Sequence, residues 1–160
     1  MVHAIDNGND ASIEPVKLFT PSAATRMLPL IRRIVVDITR LNESIEAQRD
    51  QLAGVDSIDS ISDDVHYRDE LTDMRASLAD DELTLARCVA ELTSLGVSIH
   101  HPIDGSVDFP AIMNRRPVHL CWSPGEESVS HWHEMQSESK SEPRARQKID
   151  PTKFGVESLN

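Results

Sequence analysis

The sequence predicts an α+β protein in which a long antiparallel helical hairpin packs against a small antiparallel β-sheet. Three observations predict it: two apolar stripes with helical spacing, a Ser- and Asp-rich connection between them at residues 53–64, and an alternating, strand-like pattern after Gly96. A chain of 160 residues, 39% of them hydrophobic, suits one such domain, which we assign to residues 18–134. Residues 1–17 are expected to form a disordered N-terminal arm, and residues 135–160 a mostly disordered polar tail.

The first helix is expected over about residues 21–53. Thr20 can cap its start, and Pro21 suits the first helical position. Its apolar seam recurs in steps of three and four, with one polar member: Ala24, Met27, Ile31, Ile34, Ile38, Leu41, Ile45, Gln48 and Leu52. Further apolar residues widen the stripe in its N-terminal half, where we expect a second layer: Leu28, Leu30 and Val35.

The second helix is expected over about residues 64–95. Its seam has the same spacing and one charged member: Tyr67, Leu71, Met74, Leu78, Asp81, Leu85, Cys88, Leu92 and Leu95. Folding the helices about the connection sets Asp81 near Ile34. Asp81 is then either a residue at the seam edge that pairs with Arg32 or Arg33, or an inward-facing metal ligand. Either the sheet or a second copy of the chain must cover the remaining apolar residues, Leu83 and Val89 among them.

The β region is expected over about residues 97–133, with a hairpin whose arms flank Pro124 and Gly125. If these two are the central turn residues, Ser123 faces Glu126 and the register of the hairpin is fixed. Alternation then divides the side chains between two faces. One face carries Val118, Leu120, Trp122, Val129, His131 and His133; the other carries His119, Cys121, Glu126, Ser128, Ser130 and Trp132.

The two faces decide which metal sites the hairpin allows. His131 and His133 can converge, and His119 and Cys121 can converge, but the four cannot surround one tetrahedral ion in a flat hairpin. A site with His131 and His133 as nitrogen ligands needs a further ligand from elsewhere, and the sequence offers Asp81, Asp108, His100 and His101. Zinc or iron suits such donors. A bulge at the Pro-Gly turn would shift one arm by a residue and merge parts of the two sets.

Other interpretations of the same residues compete with a metal site. In the alternative interpretation the histidines are structural residues that make hydrogen bonds at the rim of the sheet, and Trp122 is a core residue with a paired indole N–H. The Cα atoms of His119 and Cys121 are expected about 7 Å apart along the strand, which is long for a direct hydrogen bond that would activate the thiol. Glu126 is expected to accept backbone N–H bonds at the turn. We assign no catalytic residue.

Composition and charge exclude several classes of function. A net charge of -11 with a pI near 4.9 disfavours binding to nucleic acid, where Lys and Arg neutralise phosphates. No segment approaches the roughly 20 apolar residues of a membrane helix. The N-terminal residues lack the features of a signal peptide, and two cysteines do not form a disulfide framework. We therefore expect a cytoplasmic protein without a nucleic-acid or membrane partner.

The order of several short motifs is similar to that of a known family. These are Phe19-Thr20 with Ala24 and Leu28-Pro29, then residues 105–111 (GSVDFPA), then Leu120-Cys121-Trp122 with Gly125-Glu126 and Trp132-His133. The chain in this respect resembles the bacterial domain of unknown function 2203 family, from about Phe19 to about Ile149. Arg144 to Ile149 match an Arg-containing segment of the family, with Ala145 where a glycine is expected. The family's name implies no activity.

Two hypotheses of function follow. The first is a non-catalytic interaction module that self-associates through its helical hairpin, with a further protein partner unidentified. The second is a protein that binds zinc or iron through His131 and His133, with Asp108 or Asp81 as the carboxylate. His119, Cys121, Glu126, Trp122 and Trp132 form the other cluster of functional candidates.

Overall fold

The helices and strands follow the predicted order. A computed structural model describes residues 15–56, 64–135, 145–150 and 152–154. In these ranges the chain forms α1 (Pro21–Asp56), α2 (Val65–Ser94), β1 (Ser98–Ile99), β2 (Val107–Met113), β3 (Arg116–Trp122), β4 (His131–Glu134) and β5 (Gln147–Lys148). The strands form one antiparallel sheet in the order β1-β2-β3-β4-β5. The predicted fold class, a helical hairpin against an antiparallel sheet, is confirmed.

The structure describes only part of the expected N-terminal arm and C-terminal tail. Residues 1–14, 136–144, 151 and 155–160, on which the expected disorder of the arm and tail falls, lie outside the described ranges. β5 lies within the range assigned to the tail and pairs with β4.

β2 continues through Pro110, which faces His119 on β3. Pro110 offers its carbonyl oxygen to the Phe19 N–H at 2.8 Å and so ties the start of α1 to the sheet.

Polar side chains and a glycine set the helix ends. The Thr20 hydroxyl accepts a hydrogen bond from the Ala23 N–H at 3.1 Å, as expected of an N-cap. Asp64 caps α2 through the His66 N–H at 3.0 Å. Gly96 has φ +82, a left-handed conformation that stops α2 and starts the chain toward β1.

The main core lies between the N-terminal half of α1 and one face of the sheet. Leu28 and Val35 are buried there, opposite Phe109 and Leu120 of the sheet, so the expected second layer exists. Pro29 leaves the Thr25 carbonyl without its usual helical donor. The Thr25 hydroxyl accepts a hydrogen bond from the Val129 N–H at 3.1 Å, which joins α1 to the segment before β4. Exposed apolar residues remain on the helices of the single chain, namely Leu30, Val36, Val65 and Leu83.

The helical hairpin uses the predicted seams in a different register. Gln48 donates a hydrogen bond to Asp81 at 2.6 Å, so the two polar seam members pair with each other. The predicted contact of Asp81 with Ile34 is therefore wrong, as is its predicted pairing with Arg32 or Arg33. Gln48 lies fourteen residues after Ile34, which is two complete heptads, so the shift keeps the same residues in the seam. Neither helix has a described stretch long and apolar enough to cross a membrane.

Candidate metal centre

The pairing of β3 with β4 places the candidate residues, and it differs from the predicted hairpin. Cys121 faces His131, where the two-residue turn predicted Ser128, and His119 faces His133. The difference of three residues is odd, so it moves every side chain of β4 to the other face. The predicted division of faces is therefore wrong. His133 shares a face with Cys121 and His119, while Trp132 joins Trp122 and Leu120 in the core.

The physical reason is that residues 123–130 form an anchored connection instead of continuing the ladder. A turn does occur at Pro124-Gly125, with Gly125 at φ +95 and the Glu126 N–H donating to the Ser123 carbonyl at 3.1 Å. Beyond it, Arg32 on α1 donates to the carbonyls of Glu126 and Glu127, both at 2.9 Å. Because α1 also holds the Val129 N–H, this segment bonds to the helix, and pairing with β3 resumes only at His131.

Four side chains converge on the face of the sheet opposite the helices, and we call them the sheet-face cluster: His100, Asp108, Cys121 and His133. One potential ligand atom from each lies within 4.8 Å of all the others. Each residue comes from a different stretch of the sheet, since His100 directly follows β1 and the others lie on β2, β3 and β4. Asp108 and Cys121 are direct cross-strand partners.

Hydrogen bonds in the adjacent loop fix the position of His100. The backbone N–H of His100 donates to the Ser106 carbonyl at 3.0 Å, which closes the turn between β1 and β2. The Ser106 and Ser123 hydroxyls lie 2.9 Å apart, so this turn is joined to the β3–β4 connection. Gly105, at φ +85, allows the close approach, because a Cβ there would lie 2.7 Å from the Pro124 ring. His100 is therefore held over the sheet by local structure that the cluster itself does not supply.

Two imidazoles meet one carboxylate oxygen at the centre of the cluster. His133 Nε2 lies 2.9 Å from Asp108 Oδ1, and His100 Nε2 lies 2.8 Å from the same atom. Only the first contact has hydrogen-bond geometry. The His100 Nε2 atom is buried and has no hydrogen-bond partner among the described residues, despite its short distance from the carboxylate.

His133 lies between two hydrogen-bond acceptors. Its Nδ1 is 3.0 Å from the carbonyl oxygen of Glu134, and its Nε2 faces Asp108. A carbonyl oxygen only accepts, so Nδ1 carries a hydrogen. A neutral imidazole then has a lone pair on Nε2, directed at the carboxylate, and only an imidazolium could donate to both acceptors. The contact with the Asp108 carboxylate needs a hydrogen on Nε2 in the metal-free protein, and a bound metal ion would take the place of that hydrogen.

Burial and neighbouring charges act in opposite directions on the two acidic groups. Burial alone would raise the pKa of the Asp108 carboxyl, but the adjacent His100 and His133 imidazoles outweigh it and hold the pKa well below its usual range. Burial, followed by the negative charge of Asp108, raises the pKa of the Cys121 thiol to about 12. Cys121 is therefore a protonated thiol at neutral pH, the opposite of an activated nucleophile.

Two histidines of the same face border the cluster without belonging to it. His119 Nδ1 lies 3.9 Å from Asp108 Oδ2. His131 Nδ1 lies 3.3 Å from Glu126 Oε1, and Arg146 binds both oxygens of that carboxylate at 2.8 and 2.9 Å. Glu126 also accepts the Ser123 N–H at 2.8 Å, as a turn residue does. The Glu126 carboxylate is therefore engaged by Arg146, His131 and the Ser123 N–H, away from the sheet-face cluster.

Only some of the residues predicted as ligands come together in the structure. Asp108 and His133 lie in the cluster, whereas His131 lies beside Glu126 and Asp81 lies in the helical hairpin. Cys121 joins the cluster from the set assigned to the other face. Trp122 and Trp132 are core residues, and the Trp122 indole N–H donates to the Glu126 carbonyl at 2.9 Å. The sequence offered His100 only as one of several possible ligands from outside the hairpin. Its position directly after β1 is the feature that could have identified it.

The donor set of the cluster fits a transition metal. Two imidazole nitrogens, a carboxylate oxygen and a thiol sulfur are the ligand types of tetrahedral zinc sites, where bonds of about 2.0–2.3 Å set neighbouring ligand atoms about 3.4 Å apart. The two contacts of Asp108 Oδ1, at 2.8 and 2.9 Å, would have to open by about half an ångström for such an ion.

Comparison with known proteins identifies a family and assigns no activity. The family model of uncharacterized conserved proteins, DUF2203, matches residues 17–146. No curated protein matches the chain, and no solved structure matches it.

Proposed function

The chain belongs to the DUF2203 family, whose description names no activity, and we propose from the site itself that this protein binds a divalent transition-metal ion through the sheet-face cluster. This changes the order of the two hypotheses drawn from the sequence. In the predicted hairpin register, Cys121 and His133 lie on opposite faces of the sheet. In the observed register they lie on the same face, which supports a site that contains both.

The observation that carries the proposal is the arrangement of the two imidazole Nε2 atoms around Asp108. His133 donates through Nδ1 to a backbone carbonyl and directs Nε2 at the carboxylate. This is the orientation that metal-bound histidines adopt, because the carbonyl fixes the tautomer. A cation among the four residues would take the place of the hydrogen on His133 Nε2 and would also coordinate the buried His100 Nε2 atom, which makes no hydrogen bond to a described residue.

Zinc suits the cluster best, with iron as the second choice. A thiolate beside two imidazoles is a common zinc environment, whereas nitrogen and carboxylate donors alone suit iron as well. Cys121 must lose its proton to become a ligand, so uptake of the ion releases a proton. A cytoplasmic location, which remains a proposal, would keep the thiol reduced.

Four protein donors complete a tetrahedral coordination shell, which is typical of a structural site. The ion would join the end of β1 to β2, β3 and β4. Those outer strands are short, since β1 has two residues and β4 has four. We therefore propose that the ion fastens the outer strands to the central β2–β3 pair.

Elemental analysis of protein purified without an affinity tag tests the proposal. We expect close to one zinc or iron ion per chain in the wild type and loss of the ion in His133→Ala. The matched control is His131→Ala, which removes an imidazole two residues away on the same strand and should keep the ion. Wild-type protein that neither contains these metals nor binds them after supplementation would refute the proposal.

Self-association through the helical hairpin is a second proposal, favoured by an open groove between the helices. The groove has a volume of about 380 Å³, and its lining combines the half-buried residues Leu41 and Cys88 with five polar residues, namely Asp37, Arg40, Ser44, Asp81 and Thr84. A second hairpin packed on this side would bury both seams more completely. Light scattering should give the mass of two chains, with His133→Ala unchanged. A monomer at tens of micromolar would contradict this proposal and leave the first one standing.

A further inference from the structure

We propose that His119 is a positioning residue of the metal site, which holds the second carboxylate oxygen of Asp108 while the first oxygen binds the ion. The inference rests on the proposed function. It concerns a residue outside the sheet-face cluster and predicts how that residue acts on the ion through Asp108.

The sheet places His119 beside the ligands. It lies on β3 two residues before Cys121 and is the cross-strand partner of His133 on one side and of Pro110 on the other. Side chains two apart on a strand share a face, so its ring projects toward the cluster. The His119 and His133 rings meet edge to face, with centroids 5.4 Å apart.

The Asp108 carboxylate divides its two oxygens between different neighbours. His100 and His133 approach Oδ1, whereas His119 Nδ1 approaches Oδ2 at 3.9 Å. A hydrogen bond requires about 2.7–3.2 Å, so a movement of about 1 Å would form one. Opening of the cluster around an ion requires a rotation of Asp108, and that rotation can bring Oδ2 to His119.

Such a bond would decide how Asp108 coordinates. A carboxylate with one oxygen held by an N–H group binds an ion through the other oxygen alone and in a fixed direction. His119 is also the more exposed partner, with 24% of its side chain accessible against 5% for Asp108.

Removal of such a partner typically lowers metal affinity by about 10–100-fold without removing the site. Two variants separate the hydrogen bond from simple packing. His119→Leu keeps an apolar group of moderate size and removes the donor. His119→Asn keeps an N–H group near the position of Nδ1, since the asparagine amide nitrogen lies at the same number of bonds from the backbone.

The experiment compares full-length wild type, both variants and the control His131→Leu, which replaces an imidazole that contacts Glu126. Zn²⁺ affinity is measured by competition with a chelator, and Co²⁺ serves as a probe because its visible absorption reports coordination geometry. We expect one ion per chain in every protein. Affinity should fall about 10–100-fold in His119→Leu and remain within about threefold of wild type in His119→Asn and in the control. The Co²⁺ spectrum should change in His119→Leu alone.

The outcomes separate this inference from the proposed function. A wild type that takes up neither metal refutes the metal site itself. A wild type that binds one ion, together with a His119→Leu variant of equal affinity, refutes only the role of His119. Equal weakening in the Leu and Asn variants would also refute it, because the donor would then not matter. So would a lower melting temperature of metal-free His119→Leu with unchanged Zn²⁺ affinity, which indicates packing alone.

Discussion

His100→Ala offers a sharp test of the metal site, because it removes one of the four ligands and its metal-dependent stability can be compared with that of the metal-free variant. The His100 side chain is 17% exposed, and its Nε2 atom has no hydrogen-bond partner among the described residues. Metal-free protein should nevertheless lose about 0.5–1.5 kcal/mol of unfolding free energy, because the ring lies 2.8 Å from the buried Asp108 carboxylate and helps to keep the pKa of that carboxyl low. The loss of the ligand should show separately, as a smaller stabilisation when the metal ion is added.

The size of that part follows from binding to the folded state alone. Zn²⁺ at one hundred times its dissociation constant stabilises the native protein by about 2.7 kcal/mol. A protein of this length gains about 2–4 °C in melting temperature for each kcal/mol, so the wild type should gain about 5–10 °C. His100→Ala should gain much less at the same Zn²⁺ concentration, because three ligands remain.

The assay is thermal unfolding followed by circular dichroism, starting from chelator-treated protein and adding Zn²⁺ in steps. His66→Ala is the control, because His66 is an exposed histidine on α2, outside the cluster. It should show the full wild-type gain. Equal gains in the wild type and His100→Ala, or no gain in the wild type, would refute the reasoning.

Three further predictions concern the strand register, the helical seam and the thiol. Trp132→Ala should cost about 3–5 kcal/mol in denaturant unfolding because the ring is in the core, whereas His131→Ala should cost under about 1 kcal/mol; similar costs would contradict the register. Asp81→Ala should destabilise by about 0.5–1.5 kcal/mol, since the half-buried Gln48 amide loses this hydrogen bond and keeps the one that it donates to the Ser44 hydroxyl, whereas leucine at positions 48 and 81 should restore or raise the melting temperature. Because burial raises the pKa of Cys121 to about 12, its thiol should resist alkylation at pH 8 in native metal-free protein and react after denaturation, as counted by mass spectrometry. Rapid labelling of native Cys121 would show that the thiol is accessible or ionised.

The helices could be predicted closely because their signals are local. Thr20 and Gly96 act within one turn of the chain, and the seam residues recur at a spacing that only a helix brings to one side. The register of the two helices was not predictable in the same way. A shift by two heptads presents the same seam positions, so the periodic pattern is equally satisfied by Ile34 or by Gln48 opposite Asp81. The hydrogen bond between the two polar residues distinguishes these registers, and pairing the two polar members would have found it.

The sheet shows the same division between local and distant information. Alternation identified β3, and the Pro-Gly turn does occur with its glycine in the left-handed region. The length of the connection after the turn could not be predicted from the local sequence, because hydrogen bonds from α1 determine it. Arg32 and Thr25, about a hundred residues earlier, take up the backbone groups that would otherwise extend the hairpin.

By itself the sequence determined the helical hairpin, the antiparallel sheet that follows it and the presence of His, Cys and Asp residues suited to metal binding. Only the tertiary structure decided which of those residues meet. Side chains alternate along a strand, so an odd shift in pairing exchanges the two faces and brings His133 to Cys121 and Asp108. That shift depends on bonds between the β3–β4 connection and a helix far away in the chain, which no local pattern in β3 or β4 encodes.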